Sequence, residues 1–308
     1  AGALQPARVR AGTALGLGAM VCWGVAYVPS AWLVETWPPL VAAGARLGLG
    51  GLLLLCLLAV LHRPLRPGVG VGTVGWLAFT QSVLFYGATF WGIAHAGAGL
   101  AAVLANTDAL FVAVLAAAVL GERLWPVQWA GLLVGLAGAA VVVWEGPLWP
   151  PALSGTALVV VGGAVAWSVG TVVVARGVRA EGDPLALAGW QMLAGGVVLC
   201  LAGLAWEGPP DAAGARELGL VVALAVVGSA APFALFYLAL TRAPAAEVSA
   251  WFFLVPVIGV LSAWPLLGEE PTLQLLAGMV GVCAGLWMVM GIRHGRPGRA
   301  LVDSTAPP

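Results

Sequence analysis

Ten apolar stretches dominate this chain, and each is about 20 residues long, enough to cross the ~30 Å hydrocarbon core of a bilayer. Lipid offers no partner for unpaired backbone groups, so stretches of this length cross only as helices. They lie near residues 12–33, 39–61, 72–94, 99–120, 125–144, 155–175, 184–206, 217–240, 246–267 and 272–291. The sequence therefore predicts an all-α membrane protein with ten transmembrane helices.

Composition excludes several classes of protein. Only 8% of the residues are charged, whereas a soluble domain has about 25%. All 13 basic residues are arginine and the formal net charge is zero. A nucleic-acid-binding protein needs a basic face, which is absent here. The expected partners are the lipid bilayer and a small-molecule substrate, with no nucleic acid.

The arginines predict the orientation, because cytoplasmic loops accumulate positive residues. With a cytoplasmic N-terminus, eleven arginines fall on the cytoplasmic side, one (Arg216) falls outside, and Arg46 lies within a span. We therefore expect an integral protein of a bacterial-type cytoplasmic (inner) membrane with both termini in the cytoplasm.

The chain contains an internal repeat. "GTALGLGAMVCWGV" from Gly12 is echoed by "GTALVVVGGAVAWSV" from Gly155, and "PLVAAGARLGLGG" from Pro39 by "PLALAGWQMLAGG" from Pro184. Each half has five spans, an odd number, so the copies would cross the membrane in opposite senses, as in many secondary transporters. We predict two inverted five-helix repeats at residues 1–148 and 149–292, followed by a cytoplasmic tail at 293–308.

Residues 12–291 resemble the drug/metabolite transporter superfamily, in its ten-helix EamA-type branch. The resemblance depends on Trp23 and Trp167, on the Gly-Glu pairs that end at Glu122 and Glu269, and on "FFLVPVIGVLSAWPLLGEE" with Pro256. The first half departs from the pattern, because Ala109 replaces the usual proline. The resemblance implies transport of small metabolites, often efflux, with no fixed substrate.

Two ionisable residues lie deep within spans, where charge is costly and commonly functional. They are Asp108 in the fourth span and Arg46 in the second, and their repeat counterparts are Val255 and Gln191. One interpretation is a structural salt bridge between them. In the other, Asp108 binds a cationic group or a proton while Arg46 binds a carboxylate.

Aromatic and amide side chains at similar depth could form a pocket for an apolar or aromatic solute. The candidates for substrate binding or coupling, besides Asp108 and Arg46, are Trp23, Tyr27, Gln81, Tyr86, Asn106, Trp167, Gln191, Tyr237 and Trp251. Ordinary helix packing is the competing explanation for each one. Prolines weaken the helical hydrogen-bond ladder, which makes Pro29, Pro232 and Pro256 candidate hinges.

The predicted function is secondary transport of small organic metabolites by alternating access, with export as the expected direction. Amino acids and amphipathic or aromatic compounds are the candidate substrates, and proton coupling and facilitated diffusion both stay open. A nucleotide-sugar or phosphate-ester carrier is the alternative, although phosphate recognition favours several cationic groups. An intramembrane enzyme is a remote alternative, because no nucleophile or metal motif is present. We expect no cofactor and no metal, in a monomer or homodimer.

Overall fold

The computed structural model describes residues 6–120, 124–145, 152–177, 183–211, 213–240, 242, 251–252 and 254–291. Within them almost all of the regular structure is helical. The α-helices are α1 Pro6–Val25, α2 Tyr27–Val34, α3 Pro39–Val60, α4 Val71–Leu77, α5 Gly87–Ala96, α6 Ala98–Ala105, α7 Asp108–Leu120, α8 Pro126–Val143, α9 Gly155–Gly177, α10 Pro184–Trp206, α11 Ala215–Ala223, α12 Ala231–Leu240, α13 Leu254–Leu267 and α14 Leu273–Gly291. Two π-helices are π1 Ala78–Tyr86 and π2 Leu224–Ala230.

Helix length and surface chemistry agree with a membrane protein. In the part of the chain that the structure describes, six helical stretches are long and apolar enough to span a bilayer, and three apolar helices are shorter. Large apolar side chains are exposed on the outside of the bundle, including Leu133, Leu201, Val280 and Trp287. Such a surface would drive a soluble protein to associate, whereas lipid tails cover it without cost.

The described parts of the predicted spans are mostly helical, although Trp251 and Phe252, inside the predicted ninth span, form a turn. Pro39, Pro126 and Pro184 each stand at the first position of a helix, where the missing N–H costs no hydrogen bond. A two-residue antiparallel pairing, β1 (Trp144–Glu145) with β2 (Ala152–Leu153), closes the connection between the halves of the chain.

Four spans are built from more than one segment. The first is α1 and α2, the third is α4, π1 and α5, the fourth is α6 and α7, and the eighth is α11, π2 and α12. π-helical turns are uncommon and often occur at functional sites, because they shift the hydrogen-bond register of a helix. Both π-helices lie in mid-span, next to the interior of the bundle.

Helices α3 and α10 pack closely against each other through glycines. A Cβ added at Gly44 would lie 2.7 Å from the carbonyl oxygen of Gly196, and one added at Gly51 would lie 2.6 Å from that of Gly189. The residue numbers of the contacts rise along α3 while they fall along α10, so the two helices run antiparallel. Small residues allow this close backbone approach in membranes.

Helices α8 and α14 meet in the same way. An added Cβ at Gly138 would lie 2.7 Å from the Gly278 carbonyl oxygen, and one at Gly131 would lie 3.0 Å from that of Gly285. Gln128 Nε2 at the start of α8 donates to the Val289 carbonyl of α14 at 2.9 Å. Gln274 Nε2 at the start of α14 donates to carbonyls at the end of α8. These glutamines therefore cap the partner helix reciprocally.

Two carboxylates bind helix N-termini at the end of the bundle that the arginines predict to be external. Glu269 accepts hydrogen bonds from the N–H groups of Ala98 (2.8 Å) and Gly99 (2.9 Å) at the start of α6. Glu207 accepts from the Leu40 N–H of α3 at 2.9 Å. Burial raises the pKa of Glu207, and this N–H bond opposes the rise. Both contacts place negative charge where helix dipoles favour it.

Replacement of Glu269 by glutamine is expected to lower the free energy of unfolding by about 1 kcal/mol, since the charge on the cap of α6 is lost. Thermal unfolding of the purified protein in detergent measures the change. The neighbouring Glu270 is exposed and provides the control, because Glu270→Gln should leave the unfolding midpoint unchanged. Equal effects of the two substitutions would contradict the capping role.

Candidate functional site

The fourth predicted span breaks near its middle at a short run of polar residues. Asn106 Nδ2 donates to the Ala102 carbonyl at 2.8 Å, and Thr107 Oγ1 donates to that of Leu104 at 2.7 Å. These side chains donate hydrogen bonds to carbonyls at the end of α6. The first turn of α7 then begins with a hydrogen bond from Leu110 N to the Thr107 carbonyl. Polar side chains that bond locally to the backbone compete with helix continuation.

Asp108 is the first residue of α7, immediately after the break. Its side chain is half-buried, and Oδ1 accepts from the N–H of Ala109 at 2.7 Å. Ser168 Oγ of α9 donates to the backbone carbonyl of Asp108 at 2.8 Å, which fixes the break against the sixth span. Among the described residues no basic side chain lies within 4.0 Å of the Asp108 carboxylate.

Two aromatic clusters belong to the hydrophobic core that contains Tyr27 and Tyr86. Trp23 of α1 packs edge-on against Phe233 (ring centroids 5.6 Å apart) and stacks near Phe252 (6.0 Å). Trp167, the residue before Ser168, lies 4.8 Å from Phe85 and 6.4 Å from Tyr86. Trp23 and Trp167 are both partly buried.

Tyr27 and Tyr86 connect the clusters to the charged residues. Tyr27 follows Trp23 by one helical turn, and its hydroxyl interacts with the side chain of Asn106. Both tyrosines are buried and interact electrostatically with Arg46 as well as with Asp108. The structure thus brings together five predicted residues: Tyr27, Tyr86, Asn106, Asp108 and Trp167. A sixth, Trp23, packs in the same core one helical turn before Tyr27.

The predicted salt bridge between Arg46 and Asp108 is absent. Arg46 is 5% exposed, and its guanidinium donates from Nε to Ser229 Oγ (3.1 Å), from Nη2 to the Gly228 carbonyl (2.5 Å) and from Nη1 to Ser30 Oγ (3.4 Å). Shared depth and opposite charge suggested a pair, but neither property fixes the direction in which a side chain points.

Pro232 explains why Arg46 is held in this way. In a regular helix the Gly228 carbonyl would accept the N–H of residue 232, which a proline lacks. Arg46 supplies that missing donor from α3. Its charge also lies over the rings of Tyr86 (5.1 Å) and Phe90 (5.6 Å), which attract a cation. Arg46 therefore stabilises the π2 turn rather than facing a solute.

Gln81 and Gln191 form a separate buried network. Gln191 Nε2 donates to Gln81 Oε1 at 3.0 Å, and Gln81 Nε2 donates to Thr171 Oγ1 at 2.9 Å. Ser82 Oγ of π1 also donates to the Gln191 carbonyl at 3.2 Å. These bonds join α10 to π1, in the same way that the bonds of Arg46 join α3 to π2. Both glutamines therefore have hydrogen-bond partners at a helix interface.

The remaining predicted residues have varied positions. Trp251 is half-buried and packs against the same core as Trp23. Tyr237 lies on α12, but its side chain is outside the described residues. Pro29 lies on α2, three residues after the α1–α2 break at Ala26, and Pro256 lies in the first turn of α13. Whether these prolines act as hinges stays a prediction.

Sequence reasoning missed several residues that build the site. They are Ser30, Phe85, Ser168, Ser229, Phe233, Phe236 and Phe252. Proximity to predicted residues could have identified Ser168 and Phe85, which adjoin Trp167 and Tyr86. The serines that bind Arg46 carry no local signal, because their role depends on contacts between distant spans.

Fold and site together define a polytopic helical membrane protein with an acidic, aromatic-lined site at a break in one span. The sequence profile described as "EamA-like transporter family" matches residues 10–144 and 154–291. The chain belongs to the EamA-like transporter family.

Named relatives agree with this membership. The chain is 31% identical to "Uncharacterized inner membrane transporter YedA" of Escherichia coli, over 81% of this chain and 80% of that protein. It is 29% identical to "Probable amino-acid metabolite efflux pump" of Salmonella typhimurium, over 92% and 97%. It is also 28% identical to "WAT1-related protein At3g02690, chloroplastic" of Arabidopsis thaliana, over 85% of this chain and 65% of that longer protein.

A solved structure supports the fold. It is titled "Crystal structure of protein", and it aligns with a TM-score of 0.62 and 20% identity over 91% of this chain and 96% of that chain. Family and relatives indicate an integral membrane transporter for small molecules rather than an enzyme.

Proposed function

We propose that this protein is a secondary transporter that moves a small organic solute by alternating access, with export as its direction. The observation that carries the proposal is Asp108, a carboxylate at the break in the fourth predicted span that interacts with the buried Tyr27 and Tyr86. Broken helices at the midplane are a usual site of solute and ion binding in transporters. The Salmonella relative named as an amino-acid metabolite efflux pump supports the direction.

We also propose that ten spans form two inverted repeats, at residues 1–148 and 149–292. Helices at equivalent places in the halves pack antiparallel, α3 with α10 and α8 with α14, as expected for a two-fold axis in the membrane plane. The contact of Trp23 with Phe233 has its equivalent in that of Trp167 with Tyr86. Cytoplasmic termini remain part of the proposal on the basis of the arginine distribution.

The solute site in this proposal consists of Asp108, Asn106, Tyr27 and the two tryptophans Trp23 and Trp167. Tyr86 and Trp251 border it, and Pro29, Pro232 and Pro256 are positioned to act as hinges. Arg46, Gln81 and Gln191 act instead at the helix interfaces that surround the site. A phosphate-ester substrate is disfavoured, because Arg46 already donates to three protein acceptors.

A proton gradient is expected to drive solute movement in reconstituted vesicles, with Asp108 as the group that exchanges a proton for solute. Counterflow of labelled amino acids and amines into proteoliposomes tests the transport. The same assay with and without a pH gradient tests the coupling. Asp108→Asn should remove the effect of the gradient and lower the rate by about tenfold or more.

An unchanged wild-type rate with and without the gradient would rule out proton coupling and leave facilitated diffusion. Failure of every solute to exchange faster than in protein-free vesicles would contradict transport itself. Glu270→Gln, which removes an exposed carboxylate outside the site, serves as the control for a change of charge.

A further inference from the structure

The carboxylate of Asp108 has no cationic partner in the part of the chain that the structure describes. Arg63 pairs with Asp183 at 2.7 Å and Arg216 with Glu35 at 3.4 Å, while Arg46 binds serine and carbonyl oxygens. One oxygen of Asp108 accepts a single N–H bond from Ala109. A half-buried carboxylate with so little compensation is costly unless it takes up a proton or a positive group binds it.

The aromatic rings beside Asp108 favour the same charge. Tyr27 interacts with Asn106 at the break in the fourth span, and Trp167 precedes Ser168, which binds the Asp108 carbonyl. Trp23 lies one helical turn before Tyr27 in the same hydrophobic core. Faces of tryptophan and tyrosine attract organic cations. Their apolar area also suits a solute with an aromatic or aliphatic body. A carboxylate and several aromatic rings form a typical recognition site for an ammonium group.

Among the described residues, a solute carboxylate would find no comparable partner. Arg46 is the buried cation nearest to the tyrosines, but its donors face Ser30, Gly228 and Ser229, and two aromatic rings cover it. To bind a carboxylate it would have to release the carbonyl that Pro232 leaves without a donor. The site therefore recognises one charge of a zwitterion and leaves the other unpaired.

A further buried donor lies one helical turn before Tyr27. The indole N–H of Trp23 has no hydrogen-bond partner among the described residues. A hydroxyl oxygen could accept from it. A single neutral N–H cannot compensate the charge of a buried carboxylate, so this donor does not restore recognition of an amino acid.

We infer that the solute is an organic amine cation with an apolar body and no carboxylate, an inference that rests on the proposed transport function. Asp108 binds the ammonium group, the rings of Trp23, Tyr27 and Trp167 enclose the body, and the Trp23 N–H meets a hydroxyl. Amino acids are then poor substrates, even though a relative is named for their metabolites.

Three probes of one shape test the inference: tyramine, tyrosine and 3-(4-hydroxyphenyl)propionate, which share the phenol ring and differ in charge. Purified full-length protein is reconstituted, and counterflow of each labelled probe is measured near pH ~7, where the amine is protonated. Tyramine should exchange about tenfold or more faster than the other two. Asp108→Asn should lose tyramine exchange by a similar factor, and Asp108→Glu should retain part of it.

Faster exchange of tyrosine or of the acid than of tyramine would overturn the amine assignment and leave transport standing. So would an Asp108→Asn protein that is monodisperse in size-exclusion chromatography and exchanges tyramine at the wild-type rate. If Asp108→Asn does not fold, the order of the three probes in the wild-type protein decides the question. If none of the probes exchanges, the amine assignment fails, and the wider counterflow panel decides whether transport fails with it.

Discussion

Replacement of Gly196 by leucine is expected to abolish the folded protein. An added Cβ at this position would lie 2.6 Å from the Cα of Gly48 and 2.7 Å from the carbonyl oxygen of Gly44. These are backbone atoms of α3, which cannot move aside as the end of a side chain can. Overpacking of this kind should cost more than about 3 kcal/mol, and we expect little monodisperse protein after extraction in detergent.

Gly162→Leu is the matched control. Gly162 also lies in the interior of a helix, α9, but it is exposed and an added Cβ there meets nothing within 4 Å. Its substitution should leave yield and thermal midpoint near the wild-type values. Normal yield and midpoint for Gly196→Leu would show that α3 and α10 do not pack through their glycines.

Replacement of Arg46 by lysine is expected to lower the free energy of unfolding by about 2 kcal/mol or more. Lysine keeps the buried charge, but its single ammonium cannot reach Gly228, Ser229 and Ser30 together. In the Arg46→Lys background, Pro232→Ala should recover part of this loss, because an N–H returns to the Gly228 carbonyl. Thermal unfolding of the two single variants and the double variant gives the coupling free energy between Arg46 and Pro232, which we expect to be about 1 kcal/mol or more.

The control for Pro232→Ala is Pro265→Ala, since Pro265 also lies within a helix but is exposed. It should give no recovery in the Arg46→Lys background. If Arg46 instead binds a solute carboxylate, Arg46→Lys will leave stability unchanged and alter the relative exchange of tyrosine and tyramine. That result would overturn both the positioning role of Arg46 and the amine assignment.

The spans could be predicted from the sequence because they depend on local properties. Apolar length fixes which segments cross, and prolines such as Pro39 and Pro184 mark where the helices begin. The break at Asn106 was not predicted, although its cause is local. Asn106 and Thr107 bond to carbonyls three or four residues earlier, so the pair of polar residues before Asp108 was a readable signal.

The role of Arg46 could not be predicted in the same way. Its hydrogen bond to Gly228 joins residues 182 positions apart, and the need for it arises from Pro232. Depth and charge placed Arg46 and Asp108 at similar levels, but rotation about each helix axis decides which neighbour a side chain meets. For Trp23 and Trp167 the proposed repeat supplies this information, since it predicts equivalent places for equivalent residues in the halves.

The glycine contacts of α3 with α10 and of α8 with α14 each join a helix from before residue 145 to one from after residue 152. These contacts do not depend on the peptide link between the halves. If the chain were cut within that link, each piece would still present two complementary helix surfaces to the other. Under the proposed inverted repeat, two copies of one half inserted in opposite orientations would assemble through surfaces of the same kind.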